Sequence, residues 1–336
     1  MSQDSRSRID RFWLLLLILP PLLILPNLGN TFLWQDEAET ALLGRSVARH
    51  GLPVAHDGRR TISDQPGAPD VSEDGLWIWT PWLQHYAVAG SFALFGESNA
   101  TARLPFALAG WGTILASYGF FRAIAQRLLT ARLAVLLLAT SVPFLLQVRQ
   151  CRYYAWVPLF VVLHLWGDLR LARSQRGGAP LLTLAGLGLF FTLLPQLVVS
   201  TLAVLADALF RRNRRLLAPV LACSAVVALL SAPYFLYTQG WSRDYLGLGH
   251  GYDSPARYAA TLRAYLIAVQ IYAWPFLWAG VALLASSRDL RPELGRPGRA
   301  LAVIAPIVFV IAATAPPSAA SFAALFGISI VAFAAG

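Results

Sequence analysis

Long apolar runs recur along most of the chain, and they constrain its fold more than any other feature. Runs of about 17 to 25 apolar residues have the length that a helix needs to cross the ~30 Å hydrocarbon core of a bilayer. A closed β-barrel would need short strands in which polar and apolar residues alternate, and that alternation is missing. Only 13% of the residues are charged, whereas soluble domains carry about 25%. The sequence therefore predicts an all-α, polytopic helical membrane protein that forms a single domain over 1–336.

The apolar pattern predicts about ten spans, with the short pair 180–210 turning close to Pro195. Their expected positions are 12–28, 104–121, 132–148, 155–169, 180–194, 196–210, 217–237, 263–286, 300–315 and 319–335. The segment 81–95 is apolar but short. If it crossed the membrane, the Arg-rich stretch 122–132 would lie outside, which the positive-inside rule disfavours. We therefore expect 81–95 to lie in the membrane interface.

The charge of the chain fits this topology. The formal net charge is +10, and every basic residue is Arg. Most of these Arg residues lie in short runs between spans, at 6–11, 170–176, 211–215 and 288–299. The positive-inside rule predicts that such runs, and the N-terminus, are cytoplasmic. Membrane topology accounts for the basic charge, so nucleic acid is not expected as a partner. The two cysteines offer neither metal-ligand spacing nor a disulfide framework.

The outer-face region 29–103 is unusually acidic, and we expect small interfacial helices in it. It holds nine of the 17 acidic residues, and 238–262 forms a second outer loop. Asp36 is followed by Glu three residues later, which is the spacing of a helix N-cap before a helix over 37–50. Asp36 is also placed to accept a proton from an acceptor hydroxyl, which as general-base catalysis contributes ~10²–10⁴ in rate. The two interpretations are compatible, and both stay open.

Several side chains on the same outer face could serve a lipid phosphate or a sugar. Arg103, Arg149 and Arg152 are candidates for holding the phosphate, because guanidinium groups bind phosphate oxygens in pairs. Ordinary capping or snorkelling to the interface is the alternative for each of them. Candidates for the sugar or acceptor site are His85, Tyr86, Tyr153 and His250. His164, Asp168 and Asp207 lie near Arg runs, and we interpret them as paired surface groups.

Three stretches resemble the GT-C membrane glycosyltransferases, and in particular the protein O-mannosyltransferase and lipid A aminoarabinose transferase family. They are "DEAETALLGRSVARHG" (36–51), "PWLQHYAVAGSFALFGESNATARLPFALAG" (81–110) and "VRQCRYYAWVPLF" (148–160). The first is similar to the family's first outer-loop helix, which an acidic pair opens. The second resembles its Pro and aromatic signature, and the third is similar to the segment after its third span.

The resemblance implies a fold and an activity. It implies a GT-C-like enzyme of the bacterial inner membrane that transfers a hexose or pentose, with inversion, from a polyprenyl-phosphate donor on the periplasmic face. Asp36 falls on the family's catalytic acid, and Glu37 matches its neighbour. The acceptor could be lipid A, another glycan or a protein.

The sequence also departs from the family. Where members often have Lys before a Pro pair, this chain has "WIWTP" (77–81), so Arg would have to hold the phosphate. The third segment lacks the family's acid, so no metal ligand set and no cofactor is expected. Members are usually longer, and the chain ends at Gly336 inside apolar sequence, as a truncated or reduced member would. A lipid-linked sugar transporter or flippase, or a non-catalytic scaffold relative, is the alternative.

Overall fold

The computed structural model describes residues 11–56, 58–63, 70–124, 128–210 and 214–240. The spans expected over 263–286, 300–315 and 319–335, and most of the second outer loop, lie outside these residues. The described part is helical, and its only β-type pairings are three isolated antiparallel bridges in the outer region, such as Val54 with Leu76. The α-helices are α1 (Phe12–Ile24), α2 (Gln35–His50), α3 (Leu83–Phe95), α4 (Asn99–Ile124), α5 (Leu128–Ala139), α6 (Val142–Val148), α7 (Trp156–Ala172), α8 (Gly178–Phe190), α9 (Leu194–Phe210) and α10 (Arg214–Tyr237); a short 3-10 turn, Tyr153–Ala155, precedes α7.

Within the described residues, three helical stretches are long and apolar enough to cross a membrane, namely Asn99–Ile124, Tyr153–Ala172 and Leu216–Tyr237. The helices α1, α8 and the apolar part of α9 are shorter. The long helix α4 packs against α1, α5 and α7. The side chains of Phe106, Ile114 and Tyr118 on α4 are fully buried in this core.

The segment 132–148, expected as one span, is not a single continuous helix. The chain forms α5 and α6 instead, and it breaks at Thr140 and Ser141. Ser141 has an extended backbone (ψ 115°), and Pro143 follows in the first turn of α6. Because proline has no N–H and its ring clashes with the preceding turn, a helix ends before it and can restart with it in the first turn. The expected turn near Pro195 is confirmed, since α8 ends at Phe190 and α9 begins at Leu194.

The outer region contains the two helices that carry most of the candidate site. Helix α2 ends at Gly51, whose φ of 77° only glycine adopts without strain, as the sequence predicted. Helix α3 packs along α2, and a Cβ on Gly44 would lie 2.5 Å from Cγ1 of Val88. The 13 residues of α3 span about 20 Å, which is less than the ~30 Å hydrocarbon core. Its short length supports the interfacial position, which stays a prediction.

The N-cap of α2 differs from the one predicted. Asp36 does not cap the helix, because α2 begins at Gln35 and Trp34 is the capping residue. Glu37 completes the cap, since its Oε2 accepts a hydrogen bond of 3.3 Å from the Trp34 N–H. Asp36 and Glu37 therefore both lie in the first turn, where their negative charge suits the helix dipole. Successive residues point in directions about 100° apart around a helix, so the two carboxylates lie in different surroundings.

Candidate active site

Glu37 points into the protein and forms a buried ion pair with Arg103 of α4. Both side chains are almost completely buried, with 1% of Glu37 and 7% of Arg103 exposed. Arg103 Nε donates to Oε1 at 2.8 Å, and Nη2 donates to Oε2 at 2.7 Å. This is the two-bond geometry that makes Arg–carboxylate pairs strong and directional. The pair joins α2 to α4 across a separation of 66 residues in the sequence.

The remaining donors of Arg103 are used by the chain between α1 and α2. Nη1 donates to the Leu28 carbonyl at 2.7 Å and to the Thr31 carbonyl at 3.0 Å, and Nη2 donates to the Phe32 carbonyl at 3.1 Å. With the two bonds to Glu37, all five N–H donors of the guanidinium have a partner. Arg103 therefore holds the chain segment between α1 and α2 against α4. In this arrangement no N–H of Arg103 remains for a phosphate.

Asp36 points the other way and pairs with Arg152. Its Oδ2 lies 3.0 Å from Arg152 Nη2, and 30% of the Asp36 side chain is exposed. Arg152 also donates from Nη1 to the Asp36 carbonyl over 3.4 Å. The carboxylate is thus held by a guanidinium on one side and reaches solvent on the other. A carboxylate in such a position can accept a proton from an incoming group.

Aromatic rings surround the Arg152 guanidinium. Its Cζ lies 5.9 Å from the ring centre of Trp34, 5.3 Å from that of Tyr153 and 5.4 Å from that of Tyr154. Such rings attract a cation by their negative faces without using its N–H donors. The buried Nε of Arg152 has no hydrogen-bond partner within the described residues. The guanidinium is therefore held by Asp36 and by the surrounding rings.

The turn that carries Arg152 is fixed from three sides. Arg149 Nη1 donates to the Ile24 carbonyl at 2.9 Å, and Nη2 donates to the Pro26 carbonyl at 2.7 Å, so Arg149 caps the end of α1. The Cys151 N–H donates to Glu37 Oε1 at 2.7 Å. The Tyr153 N–H donates to Oε1 of Gln84 at 3.1 Å. Burial, and after it the negative charge of Glu37, raises the pKa of the Cys151 thiol well above its usual value, which keeps that thiol protonated.

The candidates for the sugar or acceptor site lie in different places. His85 of α3 is completely buried between the outer helices, and burial lowers its pKa to about 3, against a smaller upward effect of the Thr40 backbone. Neither of its ring nitrogens makes a hydrogen bond of ordinary geometry within the described chain. Tyr86 is 43% exposed and donates to the Gly51 carbonyl at 2.8 Å. Tyr153 is buried, and its hydroxyl bonds that of Tyr154 at 3.0 Å. His250 lies outside the described residues.

A polar cluster that the sequence analysis did not single out lies behind the Arg152 turn. Thr80 Oγ1 accepts from Trp77 Nε1 at 2.8 Å and from Gln84 Nε2 at 3.0 Å. The Thr80 carbonyl accepts from the Tyr234 hydroxyl of α10 at 3.2 Å. The only sequence signal for this cluster was an amide side chain within the apolar stretch 81–95, and such a group must find partners when it is buried.

A cavity of about 410 Å³ lies between α7, α8, α9 and α10. Its walls are mostly apolar, and His164 and Ser231 contribute polar groups. His164 is 5% exposed and hydrogen-bonded to Ser200 of α9, with 2.8 Å between Nδ1 and Oγ. The interpretation of His164 as a paired surface group is therefore wrong, because the residue faces a neighbouring helix. Asp168 is likewise buried, and the side chain of Asp207 lies outside the description.

Metal ligation has no obvious location in the described part of the chain. Those residues contain no group of three or more His, Cys, Asp or Glu side chains that could hold a metal ion. The two cysteines, Cys151 and Cys223, are both buried and free.

Fold and site together define a helical membrane protein with a GT-C-like fold. Two solved structures share this fold, and both are of ArnT from Cupriavidus metallidurans, one bound to undecaprenyl phosphate and one in the apo state. ArnT is a lipid A aminoarabinose transferase. The TM-scores are 0.68 and 0.67 at 16% sequence identity, over 97% and 96% of this chain. This chain spans about 60% of the length of the ArnT chain. No protein-family model and no curated protein sequence matches the chain.

Proposed function

We propose that the protein is an inverting glycosyltransferase that uses a polyprenyl-phosphate-linked sugar. One observation carries the proposal: the partly exposed Asp36 carboxylate is paired at 3.0 Å with the Arg152 guanidinium. In the proposed reaction, Asp36 is the base and Arg152 is the cation that binds the phosphate. The fold supports the same class of donor, since the ArnT structure that resembles this chain is bound to undecaprenyl phosphate.

The reaction follows from these two groups. The acceptor hydroxyl or amine attacks the anomeric carbon of the sugar, and Asp36 takes the proton that this oxygen or nitrogen loses. The bond between the anomeric carbon and the phosphate oxygen breaks on the opposite side, and the polyprenyl phosphate leaves with the electron pair. Arg152 stabilises the charge that develops on the leaving phosphate. Attack and departure on opposite faces invert the anomeric centre.

Arg149 is proposed as a second contact to the phosphate. Its hydrogen bonds to the carbonyls of Leu23, Ile24 and Pro26 use three of the five N–H donors of a guanidinium. For Glu37 and Arg103 we propose a role in positioning, because the hydrogen bonds of the buried pair leave Arg103 without a free donor. They orient the start of α2, and hence Asp36, by holding the chain on both sides of it.

The remaining parts of the proposal concern location and substrates. The protein is proposed to lie in the bacterial inner membrane as one domain over 1–336, with a cytoplasmic N-terminus and the active site on the periplasmic face. The outer region 29–103 and the loop 238–262 would enclose the substrates. The transferred sugar is a hexose or pentose, and the acceptor is lipid A, another glycan or a protein.

The test compares the wild-type protein with Asp36→Asn. Purified protein in detergent is given a panel of undecaprenyl-phosphate pentoses and hexoses, with a membrane extract as the acceptor, and released undecaprenyl phosphate is measured. Removing a general base lowers the rate ~10²–10⁴-fold, so release falls by that factor while donor binding stays unchanged. Glu97→Gln is the matched control, because Glu97 is an acid of the same outer region that pairs with Arg45 at the surface.

Each outcome decides the proposal. Release by the wild type and by Glu97→Gln, but lost in Asp36→Asn, supports a transferase with Asp36 as its base. A wild-type protein that neither binds nor cleaves any donor of the panel overturns the transferase. Equal release from Asp36→Asn and the wild type removes Asp36 from the chemistry.

A further inference from the structure

We propose that Gln84 is a positioning residue that sets the direction of the Arg152 guanidinium. The inference rests on the proposed function, in which Arg152 holds the phosphate of the lipid carrier. Gln84 does not contact Asp36 or the guanidinium in the hydrogen bonds described above. It acts through the backbone of the residue that follows Arg152.

The two peptide N–H groups on either side of Arg152 are both held by buried side chains. The Cys151 N–H donates to Glu37 on α2, and the Tyr153 N–H donates to Gln84 on α3. Both acceptors are 1% exposed. Anchoring the backbone on both sides of a residue restricts its backbone dihedrals, which set the direction in which the side chain leaves the chain.

Gln84 is itself fixed at its other end. Its Nε2 donates to Thr80 Oγ1 at 3.0 Å, and Thr80 is bonded in turn to Trp77 and Tyr234. The orientation of the amide follows from its partners, because the Tyr153 N–H is a donor only and requires the oxygen. Gln84 therefore directs its oxygen, and not its amide N–H groups, to the Arg152 turn.

The Arg152 side chain has few directional contacts. It makes one short ion-pair contact to the Asp36 carboxylate and a 3.4 Å contact to the Asp36 carbonyl, and its Nε has no hydrogen-bond partner within the described residues. The surrounding rings attract a cation but do not select one orientation of its N–H groups. Arg103 is different, because six separate acceptor atoms hold it in place.

The test measures binding of undecaprenyl phosphate by the full chain in detergent. Gln84→Leu removes the acceptor for the Tyr153 N–H and fills a similar space. Thr80→Val is the matched control, because it removes a buried hydroxyl from the same cluster but leaves the bond from Tyr153 to Gln84. Both variants are made in the wild type and in Arg152→Lys, which loses the planar guanidinium. Melting temperatures are recorded for each protein.

The expected result separates positioning from general stability. Both variants lower the melting temperature, as the loss of a buried hydrogen bond does. Only Gln84→Leu weakens binding, about tenfold, because the guanidinium loses the direction that a charge-assisted hydrogen bond to phosphate needs. In the Arg152→Lys background, Gln84→Leu causes no further loss, since the group it positions is gone. Gln84→Met, which also lacks an acceptor and adapts its shape, gives the same pattern where Gln84→Leu does not fold.

Three results would overturn the inference. One is equal binding by the Gln84 and Thr80 variants. Another is a full tenfold loss from Gln84→Leu in the Arg152→Lys background, and the third is an Arg152→Lys protein that binds as the wild type does. A wild-type protein that does not bind undecaprenyl phosphate at all is a distinct outcome, because it overturns the proposed function and the inference falls with it.

Discussion

Two Arg–carboxylate pairs begin one residue apart on α2, and they differ in almost every physical respect. Glu37 and Arg103 are buried, and the guanidinium has all its donors satisfied by the protein. Asp36 and Arg152 meet through one short contact, with the carboxylate 30% exposed. The first pair joins α2, α4 and the chain before α2. The second joins α2 to the turn before α7.

The comparison shows how one stretch of sequence can supply both structure and chemistry. Burying a charge is costly unless a partner and hydrogen bonds compensate it, so the buried pair is stable only when it is complete. A complete pair has little left to offer a substrate. The second pair leaves part of the Asp36 carboxylate exposed to solvent, which is the part that the proposed reaction uses. The two pairs can therefore be distinguished by how many of the arginine's hydrogen-bond donors already have partners within the protein.

The largest effect on stability is expected from breaking the buried pair. Glu37→Gln leaves the Arg103 charge buried without a counter-charge, and we expect the free energy of unfolding to fall by about 3–5 kcal/mol. Asp36→Asn, one residue away, is expected to lower it by less, because 30% of the Asp36 side chain is exposed to water and three aromatic rings face the buried Arg152 charge that it leaves behind. Denaturant unfolding in mild detergent measures both. Equal losses from the two variants would remove the distinction between the pairs.

The second expected effect is a dependence of stability on pH, which arises from His85 near Arg152. Because burial lowers the pKa of His85 to about 3, the folded protein keeps it neutral while the unfolded chain protonates it below about 6.5. Stability should therefore be complete above pH 6.5 and be lost as pH falls, by about 1.4 kcal/mol per pH unit for this group. Protonation would also place a positive charge near Arg152, which opposes it.

His85→Leu provides the measurement for this effect. The variant is unfolded at several pH values between 7 and 4 beside the wild type, so that acids titrating in both proteins cancel. The wild type should show the steeper fall in stability with decreasing pH. Parallel curves would mean that His85 is protonated in the folded protein or that it is not buried.

The smallest effect is expected at the surface pair between Arg45 and Glu97, which also lies in the region 29–103. Glu97 lies 2.6 Å from Arg45 and 3.9 Å from Arg49, and it is 41% exposed. Exposed pairs contribute about 0–1 kcal/mol, so Glu97→Gln should hardly change the unfolding free energy. The change should be smaller still at high salt, because salt screens exposed charges. A loss of unfolding free energy close to that of Glu37→Gln would contradict this expectation, because an exposed pair would then stabilise the protein as much as the buried one.

The sequence placed the candidate residues in one region but did not assign their partners. The positive-inside rule put Asp36, Arg103 and Arg152 on the same face, and the structure brings them together there. The structure alone shows that Glu37 takes Arg103 and that Asp36 takes Arg152. Two adjacent acids and three arginines allow several pairings, and local sequence does not set which way each side chain leaves its helix in the folded protein.

Other differences have equally local causes. The Asp36 N-cap was a reasonable prediction from spacing, but helix entry is decided by where the preceding chain, held by Arg103, approaches α2. The helix break within the expected span 132–148 was not predicted, because hydropathy alone does not register the effect of a proline on the backbone. Gln84 lay inside an apolar stretch, and only tertiary contacts reveal the Tyr153 N–H that it accepts.

The sequence by itself determined the helical membrane character, the acidic region 29–103 and the C-terminal end of α2 at Gly51. These depend on hydrophobic length, on charge asymmetry and on the permissive backbone of Gly51, which are all local properties. The tertiary structure decided which charged side chains find all their hydrogen-bond partners within the protein and which do not. This depends on atoms brought within about 3 Å from segments far apart in the chain. No local pattern encodes that distance.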